Sequence, residues 1–218
     1  MADRATGLRL NISCISDPPI PMLDLFHKGG PIMWPILLLS VAALTVVLER
    51  FLFISRERLR RKPSLVEDIL TEVEKGRPET AAQLGKETQD FVARALTYAL
   101  THRDRSFSEA MLRAANWELK RFSRGLTLLD TTITLAPLLG LLGTVTGMIR
   151  SFGMLGGAEL GAPTAITGGI AEALIATAFG LGVAITALLP FNYLNARLEE
   201  ARLEMQDAAS HVEIHLCK

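Results

Sequence analysis

Apolar and polar positions along this chain fall into blocks. Residues 32–48 (IMWPILLLSVAALTVVL) and 126–149 (LTLLDTTITLAPLLGLLGTVTGMI) are nearly unbroken apolar runs, and a third is centred on residues 172–189. An α-helix needs roughly 17–25 such residues to cross a bilayer, so each run is long enough, the first only just. The charged block 49–125 separates the first run from the second, and a short small-residue stretch, 150–168, separates the second from the third. The pattern predicts an all-α membrane protein with three transmembrane helices.

Lys and Arg set the orientation, because cytoplasmic loops carry the excess of positive charge. Fifteen lie in residues 55–125, including Arg56, Arg58, Arg60, Arg61 and Lys62, whereas the 150–168 connection holds Arg150 alone. The reading is an outer tail over 1–19, an interfacial amphipathic helix over 20–30 and a first span over 31–54. A cytoplasmic helical region follows over 55–125, then a second span over 126–150. An outer loop over 151–165, a third span over 166–194 and a cytoplasmic C-terminal helix over 195–218 complete the chain.

Punctuation residues refine the helices. Ser106 and Glu109 fit a capping box, and neither Pro nor Gly follows until Gly125. One helix is therefore expected from about 107, through the membrane, to near 149, roughly 60 Å at 1.5 Å per residue. Pro163 suits the first turn of the third helix, where a missing N–H costs nothing. The polar segment NARLEEARLEMQDAASHVEIHL extends that helix into the cytosol. Gly76-Arg77-Pro78 marks a turn. Gly29-Gly30-Pro31 turns the chain from the surface helix into the first span. Pro137 is expected to bend the second.

Composition narrows the function classes. Acidic and basic residues balance at 23 each, which gives no electrostatic case for nucleic acid. Apolar residues reach 49 % of the 218, and mean hydropathy is +0.29. The only cysteines, Cys14 and Cys217, fall on opposite sides of the membrane in this topology, so they cannot pair within one chain. MADRATGLRLNIS is too polar for a lipobox or a cleaved signal peptide.

Glu172 is the candidate for chemistry. It falls nine residues beyond Pro163, roughly 13 Å along a helix and inside the apolar layer. A charge near the bilayer centre costs on the order of 2.5–3.5 kcal/mol on insertion scales. Two readings face each other: a proton- or ion-handling residue lining a path, or a polar residue that glues helices or snorkels outward. Small residues mark the helix faces. Thr177, Gly180 and Ala184 share one face of the third span, and Pro137, Gly140, Thr144 and Gly147 one face of the second, where helices approach closely. Thr177 lies about 140° around the helix from Glu172, so the two touch different walls of any common path. Threonine in a membrane helix also packs by bonding its own backbone.

Weaker features read as structural. Asp130 lies near the cytoplasmic end of the second span and reaches water. Glu49 and Arg50 close the first span as an interfacial charged pair. His211 and His215 sit at i, i+4, but HVEIH is not HExxH and the sequence places no third ligand near, so no metal is expected. There is no P-loop, no GxSxG and no nucleophile–base pair, so no enzyme and no cofactor are expected.

APLLGLLGTVTGMIRSF (136–152) followed by GGIAEALIATAFGLGVAI (168–185) resembles the MotA/TolQ/ExbB proton channel family, and ExbB most within it. GGPIMWPILLLSVAALTVVLERF (29–51) is similar to the first span of ExbB-like members. The likeness covers about 20–205. It implies a homopentameric ring around two copies of an ExbD- or TolR-like single-span partner carrying a transmembrane aspartate. Force would pass to a TonB- or TolA-like protein, in the inner membrane of a bacterium, with the N-terminus periplasmic and the C-terminus cytoplasmic. It implies that Glu172, Thr177 and Thr144 line the ion path. The ion is H+, with Na+ open because hydroxyls also coordinate it. ExbB and TolQ roles are both open, and so is a non-conducting membrane scaffold. Three spans argue against a four-span flagellar stator. The lack of inverted repeats argues against a small-substrate transporter.

Overall fold

The computed structural model describes residues 22–103, 106–155 and 163–216. Every element among them is a helix: α1 (Met22–Lys28), α2 (Met33–Arg60), α3 (Pro63–Glu74), α4 (Pro78–Leu84), α5 (Phe91–Thr101), α6 (Phe107–Ser123), α7 (Leu126–Leu155) and α8 (Pro163–Leu216). The 1–19 tail and the middle of the 151–165 loop lie outside the described residues. Helices α2, α7 and α8 are each long and apolar enough to cross a membrane. Most of their apolar surface faces outward: Leu38 is 71 % exposed, and Leu138, Ile149, Leu174, Ile185 and Leu189 are exposed too. Such a surface is tolerable only against lipid or other membrane helices.

Helices α7 and α8 pack through small residues. Gly140, Gly143 and Gly147 of α7 face Ala173, Ala176 and Thr177 of α8, and Gly180 faces Ala136 and Gly140. A Cβ on Gly180 would lie 2.5 Å from the Ala136 carbonyl oxygen, and one on Gly147 would lie 2.9 Å from the Ala173 Cβ. Without a hydrophobic drive between helices in lipid, close backbone approach of this kind supplies the attraction. Gly140, Gly147 and Gly180 thus pack as the sequence suggested, and Gly143 joins them. Pro137 sits inside a helix that continues through it to Leu155. Gly180→Val should destabilise the pair by about 1–3 kcal/mol, as overpacking does. Gly182→Val is the control, because a Cβ there meets nothing within 4 Å. Thermal unfolding in detergent should separate the two variants, and equal melting points would refute the tight seam.

The expected single helix from 107 to 149 does not form. Helix α6 ends at Ser123, Arg124 turns extended, and Gly125 takes φ +80° before α7 begins at Leu126. An L-residue is strained at that φ, and a Cβ there would lie 2.7 Å from Cγ1 of Val46 on α2. Gly125 therefore breaks the helix where α2 passes. Around this break Ala43, Ile54, Leu126, Leu129 and Leu194 form a buried collar that ties α2, α7 and α8 together.

Beyond the collar, α3 to α6 pack on the C-terminal half of α8. Ala201, Met205, Ala208 and Val212 are buried at helical spacing and present one apolar stripe. Leu96, Ala99 and Leu100 of α5, Ile69 and Val73 of α3, and Met111 of α6 close over it. Local signals agree with the sequence here. The Ser106 hydroxyl accepts from the Glu109 N–H at 3.3 Å and caps α6. The α3–α4 turn falls at Gly76–Arg77, and Pro78 opens α4.

Candidate ion-pathway site

Glu172 lies near the N-terminal end of α8, beside the C-terminal end of α7 and the α1–α2 turn. Its carboxylate accepts from Arg150 Nη1 at 2.9 Å. The carboxylate is also roofed by Gly30, where an added Cβ would overlap Glu172 Oε1. Gly30 holds φ +73°, so the turn needs glycine both for its backbone and for the room it leaves the carboxylate. The Glu172 side chain is 25 % exposed and that of Arg150 53 %. A charge in the apolar layer is tolerable when paired. The sequence placed Glu172 correctly near the start of the third helix but assigned it no intramolecular partner. The signal for Arg150 was its isolation, as the only basic residue in a stretch of small ones.

The two threonines are turned elsewhere. Thr177 donates its hydroxyl to the Gly140 carbonyl across the α7–α8 seam at 2.9 Å, and also lies 3.3 Å from its own Ala173 carbonyl. Thr144 donates to Leu141 at 2.6 Å along α7. Both hydroxyls spend their proton on backbone, and each oxygen keeps acceptor lone pairs for water or a cation. Five residues separate Glu172 from Thr177, about 7.5 Å along the axis. The described chain therefore sets out a carboxylate near the start of α8 and hydroxyls further along the span, with no direct bond between them.

At the inner end the expected interfacial pair needs correction. Glu49 and Arg50 do pair, at 2.8 Å, but only Glu49 is exposed; the Arg50 side chain is 5 % exposed. Arg50 turns into the protein, donates to the Arg121 carbonyl at 2.9 Å and lies 4.8 Å from the Phe53 ring centre. An arginine satisfies that carbonyl, near the C-terminal end of α6, with one arm while its other arm meets Glu49, a fork lysine cannot reproduce. Arg50→Lys should lower the melting temperature nearly as much as Arg50→Leu, a loss of about 2 kcal/mol for charge-assisted bonds. Full rescue by lysine in a thermal scan would show that charge alone matters. Asp130 is exposed, as its position near the span end suggests.

Between α2, α5, α6 and α8, next to the collar, lies a cleft of about 150 Å³ lined by Phe91 and Phe122 and by the charged Arg61, Arg197 and Glu204 among others. Burial pushes the Glu204 carboxyl up, against the pull of Arg61.

Comparison with known proteins decides the family. A profile described as the MotA/TolQ/ExbB proton channel family matches residues 84–207, more than half of the chain. The chain belongs to this family. The biopolymer transport protein ExbB-like 1 of Synechocystis sp. is 44 % identical over 180 residues, covering 79 % of this chain and 70 % of the relative. ExbB-like 3 of the same organism is 35 % identical, covering 85 % and 90 %. The Tol-Pal system protein TolQ of Haemophilus influenzae is 40 % identical over a shorter stretch, 41 % of this chain and 39 % of that protein. Family membership and three apolar helices together make this a multi-pass inner-membrane protein of a channel family, not a member of a known enzyme family.

Proposed function

We propose that the chain is the ring subunit of an ion-driven motor of the inner membrane, ExbB-like in its role. Five copies surround two copies of an ExbD- or TolR-like single-span partner with a transmembrane aspartate. Protons pass between ring and partner, and the resulting motion is handed through a TonB-like protein to transport at the outer membrane. The observation that carries the reading is Glu172, an intramembrane carboxylate held by Arg150 where α7 and α8 meet the α1–α2 turn. A carboxylate at membrane depth is a functional site by default, and pairing with Arg150 makes its charge tolerable there. Five Glu172 side chains around a central space would supply polar lining, and Thr177 and Thr144 continue it inward. The partner's aspartate would exchange the proton. H+ is the proposed ion, with hydroxyl oxygens that would also suit Na+.

The ExbB-like assignment, in preference to a TolQ-like role with a TolA-like recipient, is supported by likeness over most of the chain to ExbB-like relatives and over less than half to TolQ. A second reading takes the Arg150–Glu172 pair as packing and the protein as a non-conducting scaffold. Native mass spectrometry of the complex, co-expressed with a neighbouring single-span protein and purified in mild detergent, tests the assembly. Five copies with two partners are expected. A monomer, or a ring that never takes up a partner, would favour the scaffold.

A further inference from the structure

His211 and His215 were left by the sequence without a third donor. The fold supplies one from 137 residues away: Glu74, the last residue of α3, places Oε1 2.7 Å from His211 Nε2. The two imidazoles stack with centroids 5.0 Å apart. One donor atom from each of the three residues lies within 4.8 Å of the others. We infer that Glu74, His211 and His215 form a binding site for a divalent transition metal of the zinc class, which fastens the end of α3 to the cytoplasmic tip of α8.

Three features beyond proximity support the site. First, His215 Nδ1 lies 2.9 Å from the His211 carbonyl oxygen. A carbonyl only accepts, so Nδ1 carries the proton and Nε2 keeps its lone pair free. Metal-binding histidines are oriented in this way, with the other ring N–H donated to a carbonyl or carboxylate. Second, two imidazole nitrogens and a carboxylate oxygen are the donor set zinc accepts, with a fourth position left for water. Third, Glu74 ends α3 and His215 lies in the last turn of α8, so the negative ends of two helix dipoles meet at the site and favour a cation. Lys75, the residue that follows α3, is turned to Glu72 at 2.7 Å.

The three donors, all within 4.8 Å of one another, must converge by up to about 1.5 Å to share one ion. With metal–ligand bonds of about 2.0–2.1 Å, donors on a tetrahedral ion stand about 3.3 Å apart. The Glu74–His211 contact must open by roughly 0.6 Å on that basis. Both side chains are half-exposed, so the carboxylate can withdraw and an ion can enter from the cytosol. On binding, His211 Nε2 gives up any proton it shares with Glu74, and that proton leaves to solvent.

The test uses the full-length protein in mild detergent, free of any histidine tag, with Cys14→Ser and Cys217→Ser to remove thiols that bind zinc. Zinc sulfate is titrated against a chromophoric zinc chelator. The expected result is one zinc per chain, with affinity at least tenfold weaker in His215→Ala, in His211→Ala and in Glu74→Gln. His215 bonds and stacks against His211 within α8, and retained helicity of His215→Ala separates loss of a ligand from loss of fold. Zinc should also raise the melting temperature of the parent and not of Glu74→Gln. Zinc bound at less than half an equivalent per chain, or with unchanged affinity in His215→Ala, would overturn the site.

Discussion

Glu172→Gln is expected to reduce ion flux at least tenfold while the complex keeps its native mass. Glutamine has nearly the shape of glutamate and can still accept from Arg150, so helix packing at the site survives. What disappears is the negative charge, and with it the capacity to attract or exchange a proton in a layer where no water substitutes for it. Flux is read as pH change inside vesicles containing the co-purified complex under an imposed potential. Normal flux in Glu172→Gln would sink the conductor reading and leave the carboxylate as helix glue. Arg150→Gln sharpens the result. If flux depends on the Arg150–Glu172 pair, loss of Arg150 alters flux with Glu172 present and changes little in the Glu172→Gln background, a coupling that a double-mutant comparison reads directly.

The second large effect lies in the helical bundle, at Asp90. Asp90 is fully buried among the described residues and serves several donors at once. Its carboxylate caps α5 through the Val92 N–H at 2.9 Å and the Ala93 N–H at 3.4 Å. It also receives the Lys62 N–H at 2.8 Å and Arg61 Nη1 at 3.1 Å from the start of α3. Asp90→Ala removes all of these and leaves a guanidinium and backbone donors partly unpaired. Breaking a buried ion pair in this way costs about 3–5 kcal/mol. Asp90→Asn keeps the cap oxygen and should cost less. Hydrogen exchange of the full-length protein is the readout: the amides of α5 should open far more easily in Asp90→Ala, while those of the α7–α8 seam stay protected. Unchanged protection in α5 would show that the cap is dispensable.

The two sites differ in how far the sequence revealed them. The spans were legible because long apolar runs need no partner to be recognised. Glu172 stood out for the complementary reason, as a carboxylate with no local excuse. Ser106 and Pro163 announced their helix ends through rules that act within one turn. What escaped were relations between distant residues. Arg50 looked like a charge reaching for water at a span end, but the Arg121 carbonyl, brought to it by the fold, draws it inward. Gly125 was passed over inside an expected continuous helix, and the close passage of Val46 and a left-handed φ make it a break. Glu74 had no marker as a partner for two histidines 137 and more residues away. Thr177 illustrates the middle case: its face was readable, and its bond to Gly140 across the seam was not.

The collar has a mechanical corollary. Two interruptions of the backbone hydrogen-bond ladder flank it: the Gly125 break between α6 and α7, and Pro190 within α8, one residue before Phe191 packs against the collar. Proline and glycine are where helices yield most readily. Helix α2 crosses the same level unbroken from Met33 to Arg60. The molecule is thus jointed at one plane, with two articulated members and one continuous spine. In the proposed motor, movement of the membrane helices would reach the α3–α6 bundle through that joint.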